Sequence, residues 1–145
     1  MQYYVDKNEL ESFTYGAISS TSFNFIIVSN DNLNGFENDF ELVEIPGRTG
    51  NLIIDNQRKK NKEINIEAYA DIEEFGEASL VSKAIRNWLQ GEVKYKTLIF
   101  SNDYVKYEAI VLGNVEIVEE IENLLNIKFK FSCKEVGEWF IFMIN

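Results

Sequence analysis

At residues 45–56 the chain reads Ile45-Pro46-Gly47-Arg48-Thr49-Gly50-Asn51-Leu52-Ile53-Ile54-Asp55-Asn56, a turn sequence followed directly by an apolar run. Pro46 fixes φ at the first corner of a turn and Gly47 accepts the positive φ of the second, which predicts a type II turn. Gly50 is free to adopt another unusual backbone angle or to let another chain approach closely. The pattern predicts a tight turn that holds Arg48 in a defined place. On local physics alone, an ordinary loop between two strands explains the same residues.

Strand patterns lie on both sides of this turn. Residues 40–45 form an apolar-rich run before it, and residues 62–70 alternate after it, with Ile64, Ile66 and Ala68 on one face. Alternation with a period of two predicts a strand that has one face in water. Further upstream, residues 11–30 predict two short strands around a turn at Ser19-Ser20-Thr21-Ser22.

One helix is predicted between residues 77 and 90. Its apolar residues recur at helical spacing, namely Leu80, Val81, Ala84, Ile85, Trp88 and Leu89. Gly91 follows and suits the left-handed residue that often ends a helix. At this spacing Trp88 is interpreted as a core anchor rather than as a platform for a ligand.

Two hairpins are predicted in the C-terminal half of the chain. The first spans residues 97–112 and turns at Ser101-Asn102-Asp103, and the second spans residues 113–134 and turns at Glu122-Asn123. Long antiparallel strands with one polar face are suited to a sheet that continues from one subunit to the next. The second, longer hairpin is therefore a candidate for contacts between subunits.

The length and the aromatic content bound the fold class. A chain of 145 residues is expected to form one domain, residues 1–145, with one core. Its 11 Phe and 7 Tyr favour strands and a half-buried sheet over a helical bundle. Together with the single helix, this predicts a mainly β fold of the α+β class.

The charge balance argues against a nucleic-acid partner. The formal net charge is −10, and phosphate recognition needs a basic surface. The basic run Arg58-Lys59-Lys60-Asn61-Lys62 has no interleaved aromatic residue, so it is interpreted as a solvated strand end or as a charge partner for an acidic neighbouring subunit. No apolar run approaches the length of a membrane span, so no membrane contact is expected.

The residue types for catalysis and metal binding are poorly represented. The chain has no His, which removes the commonest general base and metal ligand. The carboxylates Glu116, Glu119, Glu120 and Glu122 fall on the polar face and end of a hairpin, without an apolar pocket to raise a pKa. No loop has calcium-binding or phosphate-binding spacing. Cys133 continues an apolar alternation and is interpreted as a buried small apolar group. We therefore expect no enzyme activity, no metal and no cofactor.

Four ordered segments of the chain form a recognisable set. The most specific comprises Pro46-Gly47-Arg48-x-Gly50-x-Leu52, then Asp55-Asn56 and Arg58-Lys59-Lys60. The other three are Phe13-Thr14-Tyr15-Gly16-Ala17-Ile18-Ser19-Ser20 with Phe23-Asn24-Phe25, Trp88-Leu89 with Thr97-Leu98-Ile99-Phe100, and Ile127-Lys128-Phe129-Lys130-Phe131-Ser132-Cys133-Lys134. Together they resemble the N-terminal domain of the distal tail protein (Dit) family of long-tailed bacteriophages, over about residues 10 to 134. The chain departs from the family at Gln57, where a glycine is frequent, and at Glu135-Val136, where a proline and an aromatic residue are usual.

The resemblance implies a structural role in a phage or prophage tail tip. It implies an antiparallel β-sandwich or split barrel with one packed helix, forming a homohexameric ring at the end of the tail. One ring face would meet the tail tube protein and the other the tail-tip hub or tail-associated lysin, with the tape-measure and receptor-binding proteins as further neighbours. The subunit would assemble in the host cytoplasm and reside in the virion tail. The predicted contact residues of the signature loop are Pro46, Gly47, Arg48, Gly50, Leu52, Asp55, Asn56 and Arg58.

Two expectations remain open on the sequence alone. The apolar segment Trp139-Phe140-Ile141-Phe142-Met143-Ile144 either packs on its own domain, covers a partner or leads into a C-terminal domain, which many family members carry. The alternative function is a stand-alone module that binds carbohydrate or cell wall through exposed tyrosines, namely Tyr3, Tyr4, Tyr104 and Tyr107.

Overall fold

The computed structural model of the protein describes residues 11–103 and 105–134. Three of the tyrosines that the alternative function requires, Tyr3, Tyr4 and Tyr104, lie outside these residues. The apolar segment 139–144 and the departure at Glu135-Val136 lie outside them as well. The strands, the helix and the signature loop all lie inside them.

The described residues form a mainly β fold with one packed helix, which confirms the predicted α+β class. In chain order the elements are β1 (Phe13–Tyr15), β2 (Ile18–Ser19), a 3-10 turn (Ser20–Phe23), β3 (Phe25–Asn30), β4 (Asn38–Glu44), β5 (Asn51–Lys59), β6 (Lys62–Asp71), α1 (Ala78–Gln90), β7 (Lys96–Phe100), β8 (Lys106–Ile121) and β9 (Leu124–Lys134). Seven strands form one antiparallel sheet in the order β2-β1-β7-β8-β9-β6-β3. β4 and β5 form a second, two-stranded sheet.

The alternation along β6 and β9 builds the centre of the core. The two strands pair from Lys62 opposite Cys133 to Asp71 opposite Leu124. Ile64 is buried, whereas its neighbour Glu63 is exposed, as a half-buried strand requires. Cys133 is fully buried, and this burial raises the pKa of its thiol to about 12. The interpretation of Cys133 as a small apolar core residue is confirmed.

The main sheet curls, so that strands near its two ends share one aromatic core. Phe13 on β1 and Phe25 on the edge strand β3 have ring centroids 6.2 Å apart, although four strands separate them in the sheet. Trp88 on α1 stacks on Phe13 at 5.5 Å, and its Nε1–H donates to the carbonyl oxygen of Tyr15 at 2.9 Å. Each aromatic pair of this kind contributes about 1 kcal/mol beyond its buried area. Trp88 is thus a core anchor, as predicted, and it packs inside a split barrel.

Helix α1 lies where it was predicted, but its C-terminal end differs, and Leu80 and Ala84 among its six apolar residues at helical spacing are exposed. It spans Ala78–Gln90 and buries Val81, Ile85, Trp88 and Leu89. The left-handed conformation expected for Gly91 is wrong, because its φ is −65° and its N–H still donates to the Asn87 carbonyl at 2.9 Å. A Cβ at this position would lie 2.3 Å from the Asn87 carbonyl oxygen. The glycine therefore permits a close backbone approach in the last turn and does not reverse the chain.

The first hairpin turns earlier than the sequence suggested. Gly16 and Ala17 have φ of 58° and 69°, and they join β1 to β2. Two consecutive positive φ angles are those of a type I′ turn, whose twist matches that of the strands it joins. The predicted turn at residues 19–22 is instead mostly a 3-10 turn, and the Ser19 hydroxyl accepts from Thr21 N at 3.2 Å. The serines thus cap a helical turn and do not form the hairpin turn.

Replacing Ala17 by glycine is expected to stabilise the protein. A left-handed conformation costs an L-residue about 1 to 2 kcal/mol, so Ala17→Gly should raise the free energy of unfolding by about 1 kcal/mol in urea titrations. Ala84→Gly, at an exposed position inside α1, is the matched control and should lower it by about 1 kcal/mol. Equal losses in both variants would contradict the assignment of the turn.

The predicted long hairpin is formed by β8 and β9, which sit inside the main sheet. β9 pairs with β8 on one side and with β6 on the other, so it has no free edge. β8 continues through a bulge at Gly113, whose φ is 65°, and its pairing with β7 ends at Ala109. Within the described residues, the hairpin can therefore extend a sheet only along the distal half of β8.

Candidate functional site: a projecting hairpin

The signature loop lies at the tip of the two-stranded sheet formed by β4 and β5, residues 38–59, which we call the arm. Gly47 has a φ of 79°, and Arg48 N donates to the carbonyl oxygen of Ile45 at 3.2 Å. These are the features of a type II turn, so the predicted geometry is confirmed. Gly50 also has a positive φ, 83°, and no atom would lie within 4 Å of a Cβ at Gly47 or Gly50. The tip therefore stands in open space, with Arg48 exposed on a defined turn.

The arm carries apolar side chains on both of its faces. Leu42 lies opposite Ile53 and Val43 lies opposite Leu52, and these two pairs point to opposite faces. Leu42 and Ile53 are 56% and 66% exposed, and all nine residues of β5 are exposed. Phe40 adds a 47% exposed aromatic ring to the Leu42 face. A surface of this kind is typical of a contact site.

Among residues 11–103 and 105–134, no further element covers the two-stranded sheet of the arm. Within the described residues β4 and β5 pair with each other and join no further strand. An isolated two-stranded hairpin is marginal in water, and its outer edges leave backbone groups unpaired. The described residues therefore leave apolar side chains and backbone groups of the arm without cover.

A polar cluster holds the two strands of the arm together near their junction with the main sheet. Asp39 accepts from Asn56 Nδ2 at 2.9 Å and from Arg58 Nε at 2.5 Å. These bonds, first from Asn56 and then from Arg58, lower the pKa of the half-buried Asp39 carboxyl. Asp55 Oδ1 accepts from Gln57 N at 2.8 Å. Three of the predicted contact residues, Asp55, Asn56 and Arg58, thus stabilise the arm itself.

Gln57 has a backbone angle that explains the glycine frequent in the resembling family. Its φ is 58°, inside the left-handed region, at a bulge where two extra residues of β5 lie between the Arg58 and Asp55 pairings. Glycine adopts this angle without the cost that a side chain adds. The departure at Gln57 therefore leaves the bulge in place.

A buried lysine on β6 fastens to the main sheet the loop that leads into the arm. Lys62 is only 8% exposed, and its ammonium donates to the carbonyl oxygens of Asn32, at 2.7 Å, and Asn34. It also donates to the Tyr107 hydroxyl at 3.2 Å and lies 4.7 Å from the centroid of that ring. Burial lowers the pKa of Lys62, because the charged form loses water. The interpretation of Lys62 as part of a solvated basic cluster is wrong, although Arg58, Lys59 and Lys60 are exposed.

Replacing Lys62 by methionine is expected to destabilise the protein by about 3 kcal/mol. The variant keeps the length of the side chain but removes charged hydrogen bonds, each with a net value of about 1.5 to 3 kcal/mol, and leaves the buried Asn32 carbonyl with only the 3.3 Å bond from the Tyr107 hydroxyl. Urea unfolding measures the loss. Lys60→Met, two residues away on an exposed side chain, is the control and should change stability by less than about 0.5 kcal/mol. Similar losses in the two variants would contradict this role of Lys62.

The structure brings all eight predicted contact residues into one arm. Pro46, Gly47, Arg48 and Gly50 form the tip, Leu52 lies on β5, and the other three lie toward the base. Phe40, Leu42 and Ile53 are the most exposed large apolar side chains of the arm, and they were not among the predicted contact residues. The sequence does carry a sign of this exposed apolar surface, namely the apolar run on each side of the turn. The strands β4 and β5 contain these runs although they lie outside the main sheet.

The acidic side chains and the cysteine in the part of the chain that the structure describes form no metal-binding group. No three His, Cys, Asp or Glu side chains there are grouped to hold a metal ion. Glu116, Glu119, Glu120 and Glu122 are exposed along the distal half of β8 and its turn. The same described residues contain no helix of the length and apolarity that crossing a bilayer takes.

Tyr107 is not available as a stacking surface for a sugar. It is 3% exposed, and its hydroxyl donates to Asp103 at 2.6 Å in the network around Lys62. Burial, followed by this bond, raises the pKa of Tyr107. The expected exposure of this tyrosine is therefore wrong, and the carbohydrate alternative loses the one of its four tyrosines that the structure describes.

Known proteins resemble this chain in structure rather than in sequence. No protein-family model matches the chain, and no curated protein sequence matches it. Among solved structures, the Dit protein (gp 19.1) of SPP1 superposes with a TM-score of 0.67 at 12% sequence identity. The match covers 88% of this chain and 51% of the SPP1 protein. The chain has a Dit-like fold.

The Dit-like fold spans about half the length of the SPP1 protein. That protein is described as a paradigm of the hub adsorption apparatus of phages that infect Gram-positive bacteria. At 12% identity the likeness establishes the shared architecture. The structural match agrees with the family indicated by the four sequence segments.

Proposed function

We propose that the chain is a structural subunit of a long-tailed phage or prophage tail tip, a distal tail protein that forms a homohexameric ring. The observation that carries the proposal is the Dit-like fold over 88% of the chain. The exposed apolar arm supports the same conclusion, because a subunit that assembles must present surface that its own core does not use. The protein would act through geometry alone, without enzyme activity or a cofactor.

A closed ring requires two different contact patches on each subunit. The arm, with Arg48 and Leu52 at and beside its tip, is one patch. The distal half of β8 is a candidate for the other, since it retains an edge that β7 does not cover. Asp55, Asn56 and Arg58 would preserve the shape of the arm rather than contact the neighbour first.

The ring would join the tail tube to the rest of the tail tip. One face would meet the tail tube protein and the opposite face the tail-tip hub or tail-associated lysin, with the tape-measure and receptor-binding proteins nearby. Residues 1–145 would be the ring-forming N-terminal domain of such a protein. The subunit would assemble in the host cytoplasm and remain in the virion tail.

Light scattering on a size-exclusion column tests the ring directly. The expected mass is six times the 16.8 kDa of the chain, and electron microscopy should show closed rings. A protein that remains monomeric alone and with its tail tube protein would contradict the proposal. Retention of that monomer on a polysaccharide matrix would support the carbohydrate-binding alternative instead.

Replacing Arg48 by alanine tests the role of the signature turn. Because Arg48 is exposed at the tip, Arg48→Ala should change the free energy of unfolding by less than about 0.5 kcal/mol. It should weaken ring assembly by about tenfold, as expected for one lost polar contact at an interface. Lys94→Ala, on an exposed loop away from the arm, is the control. Unchanged assembly and stability in Arg48→Ala would show that the arginine has no role at the interface.

A further inference from the structure

The loop between β3 and β4 contains the single Asn-Gly pair of the chain, Asn34-Gly35. In such a pair the main-chain nitrogen of the glycine can attack the side-chain carbon Cγ of the asparagine, because the glycine has no Cβ to obstruct the approach. Both residues are exposed and lie outside the strands. No atom would lie within 4 Å of a Cβ at Gly35. The glycine side of this ring closure is therefore open.

The two groups that would react are not held by other hydrogen bonds. Asn34 N donates to the carbonyl oxygen of Asp31 at 3.2 Å and closes a turn before the pair. Among residues 11–103 and 105–134, neither the side-chain amide of Asn34 nor Gly35 N has a hydrogen-bond partner. No bond within these residues has to break before Gly35 N approaches the side chain.

The buried ammonium of Lys62 is placed to favour this reaction. It donates to the carbonyl oxygen of Asn34, which belongs to the same peptide group as Gly35 N. A cation at the oxygen of a peptide group withdraws electron density from the nitrogen, so it stabilises the anionic nitrogen that attacks. The ammonium itself is held by the Asn32 carbonyl oxygen at 2.7 Å and the Tyr107 hydroxyl at 3.2 Å. The fold thus activates the nitrogen before it reacts.

We propose that Asn34 is a site of spontaneous covalent modification, which the folded protein promotes and which converts Asn34 to isoaspartate through a succinimide. Gly35 N forms a bond to Asn34 Cγ, and the side-chain nitrogen leaves as ammonia with the proton that Gly35 N has lost. Water then adds to the main-chain carbonyl carbon of Asn34, and the bond from that carbon to Gly35 N breaks. The chain now continues through Cγ, and the former carbonyl becomes a free carboxylate. Water is the one co-reactant.

Lys62 also favours one of the two products. Water can open the succinimide at either carbonyl carbon, and opening at Cγ gives ordinary aspartate. The oxygen that accepts from Lys62 is the one that becomes part of the isoaspartate carboxylate. The acceptors of Lys62 before the reaction are neutral, namely two main-chain carbonyl oxygens and a hydroxyl. Isoaspartate therefore gives the buried ammonium a carboxylate, which is a stronger acceptor, and it lengthens by one carbon atom the loop that leads into the arm.

Comparison of the folded chain with the guanidinium-unfolded chain, at one pH and temperature, tests the proposal. Peptide mapping by mass spectrometry should show a mass gain of about 1 Da at Asn34. This gain should accumulate about tenfold faster in the folded chain, which corresponds to about 1.4 kcal/mol of transition-state stabilisation. Enzymatic methylation of isoaspartate should show a larger share of this product in the folded chain. A folded chain that changes at Asn34 no faster than the unfolded chain overturns the proposal.

Two variants assign the effect to its residues. Lys62→Met should lower the rate in the folded chain to that of the unfolded chain or below, and a loosened loop cannot imitate the wild-type rate, because the unfolded chain is slower. Gly35→Ala should keep the fold, since a Cβ there has free space, and should lower the rate at least about tenfold. Lys60→Met is the control and should react like the wild type. A wild-type rate in Lys62→Met overturns the role of the ammonium, and a wild-type rate in Gly35→Ala overturns the succinimide.

Discussion

Leu42→Asp combined with Ile53→Asp is expected to abolish self-association and to leave the subunit folded. The two side chains lie opposite each other on one face of the arm and are more than half exposed. Burying each against a neighbour would contribute about 1.5 to 3 kcal/mol, and a buried carboxylate adds a large penalty, so association should weaken by about 1,000-fold or more. Sedimentation equilibrium measures the change in association.

The control for this variant adds the same two charges elsewhere. Val28→Asp combined with Val93→Asp alters two exposed positions, on β3 and after α1, outside the arm. Both double variants should retain the wild-type circular dichroism and free energy of unfolding within about 0.5 kcal/mol per substitution. Loss of assembly in the control would show that net charge, rather than the apolar face of the arm, is responsible. Wild-type assembly of the arm variant would exclude this face as a contact.

Alkaline pH is expected to unfold the protein through two buried groups of the core. Burial raises the pKa of Cys133 from 9 to about 12 and the pKa of Tyr15 from 10 to about 12. The folded state keeps protons that the unfolded state loses, so stability is complete below pH 9 and falls as the pH rises to 12. At about 1.4 kcal/mol per pH unit and group, Cys133 contributes a loss of about 4 kcal/mol and Tyr15 about 3 kcal/mol.

Lys62 changes the stability in the opposite direction to Cys133 and Tyr15 as the pH rises. Its pKa is lowered in the folded state, so its contribution makes the protein more stable as the pH rises toward 10.5. Urea titrations followed by far-ultraviolet circular dichroism from pH 8 to 11.5 should therefore show a shallow onset and then a steep fall. Cys133→Val removes one buried acid without adding a charge, and it should flatten the fall between pH 9 and 10. An unchanged slope in Cys133→Val would contradict the assignment to this thiol.

Features that depend on neighbouring residues were predictable from the sequence. The turn at Pro46-Gly47 follows from the φ of proline and the freedom of glycine, and both act within four residues. The alternation of β6 and the helical spacing around Trp88 identified the core face of each element. The aromatic-rich composition, with one such helix, was sufficient for the α+β class.

Features that depend on distant partners were not predictable in the same way. Lys62 looks like one of several solvated cations, yet its three hydrogen-bond acceptors lie 28 to 45 residues away in the sequence. The separation of β4 and β5 from the main sheet was not predictable either. Exposed and buried strands have similar apolar content, so contacts with other elements decide which sheet a strand joins. The turn at Gly16-Ala17 was missed because a serine-rich stretch beside it carries a stronger turn signal.

The hydrogen bonds of Lys62 near the base of the arm affect how accurately the subunits of the proposed ring would meet. The arm extends about 30 Å beyond its base, so a rotation of about 10° there would displace the tip by about 5 Å. That displacement equals the spacing between neighbouring strands and would carry a side chain past its intended contact. By fixing the 32–34 loop that leads into the arm, the buried ammonium of Lys62 would thus help to set the direction of the arm, and with it the circumference of the proposed ring.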